Sequence, residues 1–373
     1  MKYSLPRLSF LTSFSVCMFI LTDFCGAQST PKQALLALSK RNHTLAVVDA
    51  ATLKITGTVP VGEDPHEVIA SANGEKAYVS IYGGGSLHTI DVIDLTTGKR
   101  GKDIDTRPLL GPHGLAYVND KLWFTAEGSK TIGSYSPLTD SIDWCMGTGQ
   151  DRTHMIYVTK DAKKIYTTNV SSGTVSILQD TMMKMDNMPP PPPGAGAPLN
   201  RPPANGNNPP GNMPPPGMMM PRHNWEQTVI AVSRGCEGFD VSPDGSELWT
   251  ASAEDGKIYI INTTAKKVSV IIDAKVNGAN RLQFTPDGKQ VFISSLGSGN
   301  LTVYDVKTRK LVKQIPIGHG AAGILMQPDG GRAFVACTAD NYVAVIDLKT
   351  LLVTDKIDVG EEPDGLAWMK EGN

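Results

Sequence analysis

GFDVSPDGSELWTASAEDGKIYIINTTAKKVSVI, residues 238–271, is answered by RLQFTPDGKQVFISSLGSGNLTVYDVKTRKLVKQI at 281–315 and by GILMQPDGGRAFVACTADNYVAVIDLKTLLVTDKI at 323–357. The copies begin at 238, 281 and 323, a step of 43 and then 42 residues. A fixed period of this size marks similar units stacked in a row or arranged about an axis. Each unit holds four short apolar segments; in the first they are GFDVS, ELWTAS, KIYIIN and VSVII. Val, Ile, Tyr, Trp and Thr dominate them, and these residues suit a pleated surface. Turn chemistry separates the segments. Pro243 presets φ and Gly245 tolerates positive φ in the first turn, and Gly256 sits in the polar second loop. Four antiparallel strands at this period predict the blade of a β-propeller.

The residue before each innermost strand locates every unit. These residues are His66, His113, His154, Glu237, Asn280, Ala322 and Asp364. The steps are regular except for one of double length, between His154 and Glu237, which contains an insert. The chain is therefore expected to be all-β, a seven-bladed propeller over residues 31–373 with four-stranded antiparallel blades. The last unit supplies one strand, 365–369. The N-terminal part supplies the missing three, at 34–39, 44–50 and 55–61. N-terminal strands pairing with the C-terminal strand would close the ring and remove an open sheet edge.

Bulk properties narrow the class. The 373 residues are 40% hydrophobic and 19% charged with net charge −2, ordinary for a soluble chain and without an electrostatic footprint for nucleic acid. Lys2 and Arg7 precede an apolar run at 8–21, too short to span a bilayer, and small residues follow at Gly26 and Ala27. This reads as a secretory signal over 1–27, a periplasmic or secreted protein, and no transmembrane segment in the mature chain. Cys17 and Cys25 would leave with the signal. Cys145, Cys236 and Cys337 remain, an odd number far apart in sequence. They indicate no disulfide framework. Inert buried thiols are expected, with one bridge plus one free thiol the other arrangement they allow.

The insert, 181–226, reads TMMKMDNMPPPPPGAGAPLNRPPANGNNPPGNMPPPGMMMPRHNWE. Low-complexity Pro, Gly and Asn sequence cannot bury a core and is expected to be disordered. It falls between the third strand (174–178) and fourth strand (228–232) of its blade, on the face opposite the loops that lead into the innermost strands. Eight of the 14 methionines lie here, with His223 close by. Thioethers are soft ligands that favour Cu(I), so copper capture is one reading. A mobile linker and a Pro-rich docking segment for a protein partner are the others.

The seven residues before the innermost strands converge on the mouth of the central channel. His66, His113 and His154 stand on consecutive blades, followed by Glu237, with Asp364 closing the ring. Together they are candidate ligands for a divalent or copper ion. Asp364 and Asn280 add oxygen, which would also suit Ca²⁺ or Mg²⁺. Arg152, Arg234, Asn280 and Arg281 lie at or near hub positions and are candidate contacts to an anionic small ligand. No Gly-rich phosphate loop, no G-x-S-x-G elbow and no CxxCH haem site is present, so no catalytic residue is nominated.

GPHGLAYV, VSPDGSELWTAS, KIYTTN, VIDLTTGK and VIDLKT together resemble the YVTN-type bacterial β-propeller repeat family. The resemblance covers nearly all of 34–368 apart from the insert. More distantly, GPHGLAYVNDKLWFTAEGSKTIG (111–133) is similar to repeats of the propeller lyases and lactonases. That resemblance implies His, Glu, Asp and Asn at a channel mouth with a divalent ion. His113, Glu237, Asn280 and Asp364 hold comparable places, whereas no His–Glu pair within a single blade stands out. Three functions remain open. The first is a non-enzymatic extracytoplasmic scaffold binding a small ligand or protein partner. The second is a metal-dependent lactonase- or lyase-like enzyme, and the third is a copper-handling protein.

Overall fold

The computed structural model describes Met1, residues 31–182 and residues 223–372. The expected signal and the Pro/Met-rich stretch at 183–222 lie outside the described residues. Seven four-stranded antiparallel sheets surround a channel. Blade I combines β1 (Gln33–Ser39), β2 (Thr44–Asp49) and β3 (Ile55–Pro60) with the last strand, β29 (Pro363–Lys370), placed inside β1. Blade II holds β4 (Pro65–Ala70), β5 (Lys76–Ile81), β6 (Thr89–Asp94) and a broken outer edge, β7 (Lys99–Arg100) and β8 (Ile104–Asp105). Blade III is β9 (Pro112–Val118), β10 (Lys121–Ala126), β11 (Thr131–Ser136) and β12 (Ser141–Gly147). Blade IV is β13 (Thr153–Val158), β14 (Lys164–Asn169), β15 (Thr174–Met182) and β16 (His223–Ala231). Blade V is β17 (Cys236–Val241), β18 (Glu247–Ser252), β19 (Ile258–Asn262) and β20 (Lys267–Ile272). Blade VI is β21 (Ala279–Phe284), β22 (Gln290–Ser295), β23 (Asn300–Asp305) and β24 (Leu311–Pro316). Blade VII is β25 (Ala321–Met326), β26 (Arg332–Cys337), β27 (Tyr342–Asp347) and β28 (Leu352–Ile357). Among the described residues no helix is long and apolar enough to cross a membrane.

Both chain ends build one blade. β1 pairs with β29 from Gln33↔Lys370 to Ser39↔Pro363, so the ring has no free inner edge. The core lies between blades, where Leu36, Leu38 and Leu45 of blade I meet Val68, Val79, Ile81 and Ile93 of blade II, all buried.

Two departures from the expected pattern have physical causes. The outer edge of blade II splits because Arg100 turns inward to Asp91 (2.7 Å), a fully buried carboxylate, and also binds Asp103 (2.7 Å). The third and fourth strands of blade IV run further than expected, in unbroken register from Thr174↔Ala231 to Met182↔His223. The ends of the 181–226 segment are thus ordered, not disordered. Trp225 supplies the reason. Its ring packs 5.2 Å from Trp144 of blade III, which lies 5.5 Å from Trp123. This aromatic row gives the hairpin a partner that composition does not reveal.

Cys236 and Cys337 are buried free thiols, pushed up to about 12 and about 11 by burial. Cys145 differs from the expectation, being free but exposed on outer strand β12.

Two backbone rules bring the hub residues together. Two places before each of them stands a residue with positive φ: Asp64, Gly111, Arg152, Gly235, Gly278, Gly320 and Glu362. The left-handed turn swings each inner strand onto the channel. One place after the hub residue, blades pack closer than a side chain allows. A Cβ on Gly114 would lie 2.5 Å from the His154 carbonyl oxygen, and one on Gly323 would lie 2.2 Å from that of Asp364. At this step blades II, IV and VI carry Glu67, Met155 and Arg281 instead.

Candidate metal and ligand site at the channel mouth

The hub residues form a continuous arc. Asp364 Oδ2 lies 4.0 Å from His66 Nδ1, and that nitrogen lies 3.1 Å from His113 Nε2. The His113 and His154 rings stack at 3.9 Å. His154 Nε2 lies 4.0 Å from Glu237 Oε2, which accepts a 2.5 Å hydrogen bond from Asn280. All five residues nominated as metal ligands are therefore brought together, and Asn280 with them. Ala322 interrupts the ring with a buried methyl group.

A second ring lies above the first. The residue immediately after each blade's second strand occupies one repeated position, and in blades I to III its side chain reaches the hub network. In blades I, II and III it is Lys40, Tyr82 and Glu127, and in the other four it is Val170, Ala253, Leu296 and Thr338. Glu127 is buried, accepts from the Tyr82 hydroxyl at 2.5 Å, and pairs with His154 Nδ1. His113 and Glu127 belong to one blade, so the chain does contain the His–Glu pair that did not stand out in the sequence. The signal was present in LWFTAE, in a ring that the hub rule did not sample.

Below the mouth, Arg281 Nη2 donates to Glu67 Oε1 (2.5 Å) across the channel, from blade VI to blade II. The bridge floors the site. Burial opposes the guanidinium's charge, but Glu67, Asp364 and Glu237 outweigh it and raise its pKa.

One set of imidazole tautomers satisfies the carboxylates at the mouth. Asp64 Oδ1 lies 2.9 Å from His66 Nε2, and that hydrogen bond holds Asp64 down to about 2. A carboxylate accepts only, so in the tautomer that satisfies Asp64 the proton is assigned to His66 Nε2. Lys40 Nζ, 3.1 Å from the same nitrogen, is left to the carboxylates of Asp364 (3.5 Å) and Asp64 (3.9 Å). His66 Nδ1 then accepts from His113 Nε2–H, which leaves a lone pair on His113 Nδ1. Likewise His154 Nδ1 is committed to Glu127, which leaves its Nε2 without a hydrogen-bond partner. Both residual nitrogens are buried without a hydrogen-bond partner. Burial, followed by the charges of His154, His66, Arg281 and Arg152, holds the His113 pKa well below 6.5. Burial raises the Glu127 pKa, but the bonds from His154 and Tyr82 and the charge of Arg152 prevail and lower it.

The remaining nominated contacts divide. Arg281 and Asn280 are buried within the network, and Arg281 Nη1 itself donates to Asn280 Oδ1 (3.3 Å). Arg152 sits partly exposed at the rim, its Nε 3.6 Å from Glu127 and Nη2 3.4 Å from Glu237. Arg234 is exposed and donates from Nε to the Ser171 carbonyl (2.9 Å). A groove of about 310 Å3 opens beside Glu127 and Arg152. A larger one, about 500 Å3, lies on the opposite face among the turns of blades VI and VII, where Asp287, Asp329, Lys289 and Lys349 offer no converging imidazole.

Residues 214–335 match the Cytochrome D1 heme domain family, about a third of the chain. That span excludes all three hub histidines. The stacked imidazoles, 3.9 and 4.9 Å apart, leave no gap between them for a flat macrocycle. No curated protein sequence matches the chain. Among solved structures, a functionally unknown protein from Desulfotomaculum acetoxidans superposes with TM-score 0.67 at 12% identity, over 90% of this chain and 98% of that one. A candidate 6-phosphogluconolactonase from Bacteroides fragilis gives 0.65 at 14%, over 91% and 99%. A dihydro-heme d1 dehydrogenase gives 0.56 at 13%, over 89% and 65%. At these identities the likeness is one of fold: the chain is a propeller with a His/Glu cluster at its mouth.

Proposed function

We propose that this protein is an extracytoplasmic, ligand-binding propeller whose channel mouth holds a divalent transition-metal ion on His113, His154 and Glu127. Each of these residues offers a donor atom, and the donors all lie within 4.8 Å of one another. The observation that carries the reading is the pair of buried imidazole nitrogens without partners. Unpaired buried polar groups are costly, and an electrophile is what lone pairs lack. A metal ion is an electrophile that two imidazoles and a carboxylate at this spacing can share. Charge agrees. Asp64, Glu67, Glu127, Glu237 and Asp364 are five carboxylates against three cations, Lys40, Arg152 and Arg281, a balance of −2 that one dication neutralises. A His₂Glu set suits Zn²⁺ with a coordination position left for a ligand or water. The Asp64–His66–His113 chain supplies the orienting outer contacts that such ligands use. The N-terminal signal supports placement outside the cytoplasm.

The second reading, a lactonase- or lyase-like enzyme at the same site, is favoured by the His113–Glu127 pair within one blade and by the lactonase among the fold neighbours. A bound ion there would supply Lewis acidity; Tyr82 would hold Glu127 and the Arg281 floor would exclude water from below. The copper reading through the Met-rich segment rests on residues outside those described. Elemental analysis of purified protein separates these. Near-stoichiometric metal in the wild type, lost in His113→Ala and His154→Ala, is expected. Metal retained in both variants but lost on deletion of 183–222 would replace the hub reading with copper capture. No uptake by any form, even after incubation with Zn²⁺, would refute both.

A further inference from the structure

We infer that the groove beside the metal site takes an oxyanion, a carboxylate or phosphate on a small molecule, held by Arg152, with Arg234 anchored beside the groove on the Ser171 carbonyl. The inference deepens the reading above and rests on it only for the ion at the inner end of the ligand.

The backbone supplies the first argument. Arg152 occupies the left-handed position two places before the hub residue, with φ 52. Blades III, V, VI and VII place glycine there, at Gly111, Gly235, Gly278 and Gly320. A side chain in this conformation is strained, and strain of this kind persists where the side chain is used. The second argument is satisfaction. The two carboxylates near Arg152 stand at 3.4 and 3.6 Å, long for charge-assisted hydrogen bonds, so most of its five N–H donors are uncommitted. Arg234 spends only Nε, on the Ser171 carbonyl, and among the described residues it has no ion pair. Arg281 and Asn280, by contrast, have every charged partner they need inside the network.

The groove itself supplies the third. Tyr82, Gly85, Glu127, Asp151, Arg152 and Ser171 are among the residues that line its about 310 Å3. That is the lower end of the range for small-molecule sites. The acidic groups nearby are already engaged, Glu127 with Tyr82 and His154, and Asp151 with Lys130 at 2.5 Å. A planar guanidinium fork matches two oxygens of a carboxylate or phosphate. A ligand bridging Arg152 and the ion would fill the groove from both ends.

The test is calorimetric titration of the full-length protein, Zn²⁺-loaded and metal-free, with malonate and with inorganic phosphate. At least one probe is expected to bind, more tightly to the loaded form. Which probe wins distinguishes a carboxylate from a phosphate ligand. Arg152→Gly, the residue the repeat uses elsewhere, should weaken binding about tenfold or more without lowering Tm. Arg234→Gln should weaken it several-fold and leave Zn²⁺ content unchanged. Failure of both probes with both protein forms, or binding undiminished in both variants, overturns the inference. Zn²⁺ content is read separately. Arginine-dependent anion binding without metal uptake would sink the metal reading and keep this one, and metal without anion binding would do the reverse.

Discussion

Replacing Glu67 by Gln tests whether the floor of the site is an ionic bridge on which the ring depends. Glu67 and Arg281 have side chains only 11% and 10% exposed and join blades on opposite sides of the channel. Removing one member of a buried pair costs about 3–5 kcal/mol, because the other charge stays buried. Asp364 and Glu237 also act on Arg281, so the lower end, about 3 kcal/mol, is expected here. With roughly 300 ordered residues and an unfolding entropy of about 2.1 cal/mol/K each, the melting entropy is about 0.6 kcal/mol/K. Tm should therefore fall by about 5 °C. Scanning calorimetry on metal-free protein is the assay, since bound metal would add its own linkage. The second arm is a cycle: Glu67→Leu with Arg281→Met removes both charges and should recover most of the loss. A fall of less than about 1 °C in Glu67→Gln, or strictly additive losses in the cycle, would refute the claim of a coupled bridge.

Other outcomes follow from the same structure. Asp240, on the innermost strand of blade V, accepts from the amides of Phe284 (2.9 Å) and Val241 (2.8 Å). Burial lifts its pKa to about 7, above the ordinary 3.8, so its contribution is full below pH 4 and is lost as pH rises through 7. Asp240→Asn should flatten the fall in stability between pH 5 and pH 8, gaining about 1–2 kcal/mol at pH 8, and parallel Tm-against-pH curves would contradict this. Gly323→Ala should cost about 3 kcal/mol or more in denaturant unfolding, since its Cβ would meet the backbone oxygen of Asp364 at 2.2 Å; an unchanged midpoint would show that blades VII and I can part. His66→Gln should weaken Zn²⁺ binding about tenfold or more in competition with a chelating dye, through misorientation of His113; equal affinity would remove His66 from the orienting chain.

The architecture was legible because its signals are local and repeated. Pro-Asp-Gly turns and β-branched segments recur at one period, and seven hub positions could be counted without a structure. The His66–His113–His154–Glu237 arc followed from that count. What stayed hidden depends on side chains meeting across distances the period does not encode. Glu127 lies 27 residues from His154 and meets it only because a loop after a second strand and the start of an inner strand share one face. Arg281 reaches Glu67 over 214 residues of sequence. The ordering of Trp225 depends on Trp144 in another blade, so composition assigned it to the disordered segment.

Repetition also offers a way to find the site that does not depend on resemblance. At each repeated position most blades agree, and the agreed residue is what the fold needs: glycine two places before the hub, glycine one place after it, a small or aliphatic residue after the second strand. Departures then mark demands other than folding. Before the hub they are Asp64, Arg152 and Glu362. After it they are Glu67, Met155 and Arg281, and after the second strand Lys40, Tyr82 and Glu127. Seven of these nine touch one another or the hub arc: Asp64, Lys40, Tyr82, Glu127, Arg152, Glu67 and Arg281. Independent drift at surface turns would scatter such departures around the ring, and here they converge on the mouth between blades I and IV. Two of them, Asp64 and Arg152, hold a left-handed backbone that glycine would adopt more easily. Strain accepted at this rim, with one side chain against an imidazole and the other left partly unpaired, is the pattern that the proposed binding role predicts.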